Sequence, residues 1–164
     1  MKKAFSFSIA LLASLFVGCA EQKDVDKEKS VKMLKESAKE AKREDRESLR
    51  EELSKMDSAE YVEKYIQKVI KEGSNGHGYP GGEMQAELTD EETAKKISYF
   101  VVELTGRKST HPDIAKKSQI FYTSNCGGCH GDDGKGLNGT YPDLTKEEYF
   151  GIKERREEIL RMLK

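Results

Sequence analysis

Cys126-Gly127-Gly128-Cys129-His130 decides how the rest of this chain is read. Two cysteines separated by two residues, with histidine directly after the second, form the pattern for covalent c-type haem attachment. Each thiol can add across a haem vinyl group, and the two thioether bonds then fix the porphyrin beside the loop. The imidazole of His130 falls under the iron as proximal ligand. Gly127 and Gly128 leave room for the porphyrin edge against the backbone.

Other uses of a Cys-x-x-Cys pair make different demands on the chain. A structural zinc site needs four ligands, and no second cysteine pair exists here. A dithiol redox pair of thioredoxin type belongs beside a βαβ pattern, and no strand alternation is visible. The third cysteine, Cys19, stands far from the pair.

The 164 residues suffice for one ordinary domain with appendages. Charged residues make up 36% of the chain and apolar ones 35%, so part of it is expected to lie outside any core. A net charge of -1 gives no overall basic field for nucleic acid. No Ser/His/Asp set, phosphate-binding loop or pair of catalytic carboxylates stands out.

The start of the chain reads as an export signal. Lys2 and Lys3 give a positive beginning, and residues 4–17 form an apolar stretch short for a membrane span. Leu15-Phe16-Val17-Gly18-Cys19 resembles a bacterial lipoprotein lipobox, with Phe16 where leucine is usual. That resemblance implies cleavage after residue 18 and lipidation of Cys19. The acyl chains would hold the protein on a membrane without spanning it, on the periplasmic or extracytoplasmic side. A soluble exported protein cleaved near Ala20, or an uncleaved anchor, is the alternative.

Residues 21–60 hold 11 Lys/Arg and 13 Asp/Glu and no Gly or Pro. Helix formers dominate, with Val31, Leu34, Ala38 and Ala41 on one short stripe and Leu49, Leu53 and Met56 on another. Residues 19–59 are therefore expected to be a solvated helical tether, reaching up to about 50 Å. Met33 and Met56 belong to it as surface or stripe residues. A short coiled coil with a partner is the alternative.

Residues 60–164 are expected to be all-α. Tyr61, Val62, Tyr65, Ile66, Val69 and Ile70 predict one helix, stopped by Gly73. A glycine-rich loop follows and leads into Met84. Thr89-Asp90-Glu91-Glu92 predicts a capping box with Thr89 as N-cap, opening a helix with Ala94, Ile97, Phe100, Val101 and Leu104. Pro112 opens the next helix, whose expected buried face is Ile114, Ala115, Ser118, Phe121 and Tyr122. A last helix is expected within residues 146–164.

With these pieces the chain resembles the small class I bacterial c-type cytochromes, especially haem domains of the oxidase-associated type. Residues 112–144 look like that family's first half: a helix, Cys-x-x-Cys-His, then Pro142-Asp143-Leu144. Residues 60–106 look like its second half, with the methionine loop and the closing helix. The halves stand in reversed order, as in a circular permutation or a tandem pair that lost complementary parts. The resemblance implies one covalent haem c with its iron between His130 and Met84, and the Pro142 carbonyl accepting from the His130 ring. It implies Ser118 near Phe100 where the two helices cross. Gln85 replaces the proline usual after the axial methionine, and His77 in the same loop is the alternative distal ligand.

The function implied is one-electron transfer, not enzyme catalysis, in a membrane-anchored cytochrome serving respiratory redox partners. An open distal site would instead suit a gas sensor or peroxidase. A chain without haem would be an interaction lipoprotein.

Overall fold

The computed structural model describes residues 17–74 and 78–164, with side chains described from residue 27 onward. Most of the expected leader, the Cys19 side chain and His77 lie outside the described residues. Every regular element among the described residues is helical, apart from an isolated bridge between Ser74 and Met84. No helix among them is long and apolar enough to cross a membrane.

Helix α1 (Val17–Lys55) runs unbroken for 39 residues, as the absence of Gly and Pro from residue 21 onward permits. The chain divides into two compact units between Glu47 and Ser48. In the first unit, residues 27–45 are all exposed, including Met33, Leu34 and Val31. That stretch is a solvated helix, stabilised by its own propensity and charge pairs.

The second unit starts earlier than the sequence suggests. Leu49 and Leu53 pack against its core, and Met56 is 1% exposed at its centre. Met56 is thus a core residue, not a surface or stripe residue of a tether. The brief stripe at 49, 53 and 56 is real amphipathicity. That end of α1 is tied to α8 (Phe150–Met162) by Glu52 and Arg155, a pairing that the charge-rich local sequence does not reveal. Glu52 accepts from Arg155 through two bonds of 2.9 and 2.7 Å and from the Tyr61 hydroxyl at 3.0 Å. Burial and the Glu52 carboxylate push the Tyr61 hydroxyl up to about 12.

Helix α2 (Ala59–Glu72) begins at Ser58, whose Oγ accepts from the Tyr61 amide at 3.2 Å. Val62, Ile66 and Ile70 form its buried stripe. Helix α3 (Glu91–Leu104) lies against it through Ala94, Ile97 and Val101. The N-cap of α3 is Asp90, not Thr89. Its carboxylate accepts from the Thr93 amide at 2.9 Å, and this bond with that from the Thr93 hydroxyl keeps its pKa low. Both residues can cap, and the carboxylate one position later also meets the positive helix end.

The helix expected from Pro112 onward is broken in two. Helix α4 (Pro112–Ala115) and helix α5 (Gln119–Asn125) meet at Ser118, whose hydroxyl donates to the Ile114 carbonyl. Ala115, Ser118 and Tyr122 are buried, but the break turns Ile114 outward to 40% exposure. Where α3 and α5 cross, Phe100 lies against Tyr122, ring centroids 5.2 Å apart, and Ser118 is buried one turn earlier. Helix α6 (Gly127–His130) follows, then a left-handed turn α7 (Gly136–Gly139). The last helix, α8, starts at Phe150. The Asp143 side chain binds the Thr145 amide and hydroxyl and holds the preceding residues in a turn.

The link between α3 and α4 is held from beneath. Glu63 on α2 is 3% exposed, and its carboxylate accepts from the Ser109 hydroxyl, the Thr110 amide and the Thr110 hydroxyl.

Candidate haem centre

The motif stands on two short helices end to end. The Cys126 amide donates to Tyr122 of α5 at 2.7 Å, and the His130 amide donates to Cys126 at 2.9 Å. Gly131 then leaves the helix at φ 74°. Its carbonyl accepts from the buried Tyr122 hydroxyl at 2.7 Å. Burial pushes that hydroxyl far above the usual tyrosine range. A single tyrosine thereby ties the end of the motif to the core.

Both thiols are free. Cys126 is half-buried, and burial, with the neighbouring Cys129, pushes its thiol up to about 11. Cys129 is exposed. His130 Nδ1 lies 3.0 Å from the Pro142 carbonyl oxygen. A carbonyl can only accept, so the proton sits on Nδ1 and the Nε2 lone pair is left available. Burial lowers the His130 pKa, against the opposing effect of the Pro142 bond, and so favours the neutral ring.

Met84 reaches the same place from the other half of the chain. The Ser74 amide donates to the Met84 carbonyl at 3.0 Å and closes the neck of the glycine-rich loop. Gly73 permits this. Its φ is +77°, and a Cβ there would stand 2.6 Å from the Met84 carbonyl oxygen. Nearer its tip, the loop touches the far segment, where the Gly81 amide donates to the Thr140 carbonyl at 2.8 Å.

Met84, Cys126, Cys129 and His130 line one cavity of about 420 Å³. Its walls are largely apolar, with Ile66, Ile70, Ile97, Val101, Leu144 and Phe150 among them. Pro142 lines it as well. This donor set fits a haem: an imidazole nitrogen, a thioether sulphur and two thiols, around an apolar space with a tautomer-fixing acceptor behind the histidine.

Among the described residues, the other methionines and His111 lie elsewhere. Met33 is 62% exposed, Met162 is 45% exposed on α8, and Met56 is in the core. His111 lies tilted against the Tyr99 ring, centroids 4.5 Å apart. Residues that motif reading did not single out also shape the cavity. Tyr141 touches both halves, and Tyr149 stacks on Tyr65 at 6.0 Å on the wall. These tyrosines gain their roles through contacts between distant segments. The only local signals were the adjacency of Tyr141 to Pro142 and the smallness of Gly81.

Residues 114–160 match the family model of cytochrome c. Among curated proteins, the chain is similar to the cbb3-type cytochrome c oxidase subunit CcoP of Helicobacter pylori. Identity is 46% over 78 residues, covering 46% of this chain and 27% of that protein. The same subunit from another strain of that bacterium is 45% identical over 78 residues, with the same coverage of each chain. The chain therefore spans only about a quarter of the length of these relatives. No solved structure matches. With the attachment motif, the apolar cavity and this match in agreement, the chain carries an all-α cytochrome c domain whose cofactor is covalent haem c.

Proposed function

We propose that this chain is a one-electron carrier with a single haem domain assembled from residues 60–164 in permuted order, braced by the last turns of α1. Cys126 and Cys129 carry the thioether bonds. His130 is the proximal ligand, oriented by the Pro142 carbonyl, and Met84 is the distal ligand. When bound, the haem supplies reversible one-electron exchange at iron, and a thioether ligand favours the ferrous state. The residues do the rest: His130 and Met84 would hold the iron, and the apolar walls would exclude water from it.

The observation that carries this reading is the shared cavity. Met84 belongs to the segment before α3 and His130 to the segment after α5, yet both line one space with both cysteines. Haem-based electron transfer agrees with the cytochrome c domain. The relatives are by name subunits of a cbb3-type cytochrome c oxidase, which favours a respiratory donor or acceptor as partner. The lipobox-like stretch ending at Cys19 favours a lipid anchor outside the cytoplasmic membrane. Contacts of such carriers with their partners are small and weak.

Absorption spectra of the haem-loaded wild type and of Met84→Ala test this. The wild type is expected to show the weak near-infrared sulphur-to-iron band in its ferric state and slow carbon monoxide binding in its ferrous state. Met84→Ala is expected to lose the band. A band that survives the substitution, or rapid carbon monoxide binding by the wild type, would overturn the assignment and favour an open-site sensor or peroxidase.

A further inference from the structure

Tyr141 sits between the two halves of the haem centre, and three independent features converge on it. Gly81, in the methionine loop, packs directly on its ring: a Cβ on Gly81 would lie 2.2 Å from one ring carbon and 2.5 Å from two more. Gly136, in the left-handed turn, makes room for its backbone: a Cβ there would lie 2.0 Å from the Tyr141 carbonyl oxygen. The Tyr141 amide donates to the Gly136 carbonyl at 3.0 Å. The third feature is the reach of the side chain toward the motif. The ring lies 6.2 Å from that of His130. Two glycines from different parts of the chain are thus fitted to one tyrosine.

This arrangement matters because Met84 is only three residues from Gly81. The loop is held at its neck by the Ser74–Met84 bridge and on its other side by the Gly81–Thr140 bond and the Tyr141 ring. We propose that Tyr141 is a positioning residue that locks the Met84 loop onto the covalent half of the site and so keeps the distal sulphur in place. The proposal rests on the reading of Met84 as distal ligand. In the permuted order no short connection joins the methionine loop to the motif, so contacts across the seam, the Gly81–Thr140 bond and the Tyr141 ring, hold the two together.

The test uses haem-loaded full chains: wild type, Tyr141→Ala, Tyr141→Phe, Gly81→Ala and the Tyr141→Ala/Gly81→Ala double variant. Three quantities are read: covalent haem by pyridine haemochrome, the ferric sulphur-to-iron band, and the rate of carbon monoxide binding to the ferrous form. Tyr141→Ala is expected to keep its covalent haem, weaken the band and bind carbon monoxide at least about tenfold faster, as the open fraction of the site rises. Tyr141→Phe keeps the ring against Gly81 and should stay near wild type. Gly81→Ala drives a methyl group into the ring and should reproduce the effect of Tyr141→Ala. In the double variant that collision no longer exists, so Gly81→Ala should add nothing to Tyr141→Ala.

A Tyr141→Ala protein with the wild-type band and carbon monoxide rate would overturn the proposal. So would a Gly81→Ala effect that persists in full without the ring. If Tyr141→Ala yields no loaded protein, Gly81→Ala decides, because an unchanged band in that variant also overturns it. A wild type with no band and rapid carbon monoxide binding sinks the Met84 reading itself. A wild type with the band but unresponsive variants sinks only the role of Tyr141.

Discussion

Met33 and Met56 carry the same side chain, yet one is 62% exposed and the other 1%, and only Met56 continues an apolar stripe, with Leu49 and Leu53. Met56→Ala leaves a void in the buried core and is expected to cost about 2–5 kcal/mol in chemical denaturation. Met33→Ala should stay within about 0.5 kcal/mol of wild type. An equal and small cost for both would show that the α1 end does not pack as described. The haem motif, by contrast, was legible because its chemistry lies in five adjacent residues. The Pro142 acceptor came from resemblance, and the 3.0 Å contact to His130 agrees with it. Tyr141 was invisible because a loop residue has no periodicity to betray it. Its importance lies in what two distant glycines lack.

Among the helices, α2 and α3 followed from their apolar spacing, since each buries one continuous stripe. Two errors have local causes. Thr89 and Asp90 compete for the same cap, and the choice depends on the backbone angle at the helix entrance. The α4–α5 break has no Gly or Pro to announce it, only Ser118 bonding back to Ile114. The pairing of α8 with the end of α1 rests on charge as well as packing, and it carries a pH signature. Arg155, hydrogen-bonded to Glu52, holds that carboxyl below its ordinary value of 4.5. A depressed carboxyl contributes stability above its unfolded pKa and loses it as pH falls through the folded one. Wild type is therefore expected to lose its advantage over Glu52→Gln progressively below pH 4.5. Above that range the gap should be constant at about 0.5–1 kcal/mol, the size of a partly exposed pair. Urea titrations at several pH values measure it, and a gap that widens in acid would exclude this pair as the source.

The assembly of the two sequence halves around one cavity was legible as a list of parts, because helix, loop and motif each carry local marks. How they meet was not, because that depends on which side chains fill the space between them. Glu63 shows the consequence. It holds Ser109 and Thr110, in the link that joins α3 to α4, by three hydrogen bonds from beneath the surface. Surface connections ordinarily accept extra residues cheaply, at about 0.6 kcal/mol for each doubling of length. This one is length-locked. Splicing a single glycine between Arg107 and Lys108 would shift Ser109 and Thr110 out of register and strand a carboxylate away from water. The expected penalty is about 2–3 kcal/mol, read from the denaturation midpoint. The same glycine spliced between Gly81 and Gly82 should leave that midpoint far less disturbed, and equal penalties at the two places would show that Glu63 does not hold the link. The seam where the halves join therefore behaves as interior structure, and lineages that vary their loops should find this one the least free to drift.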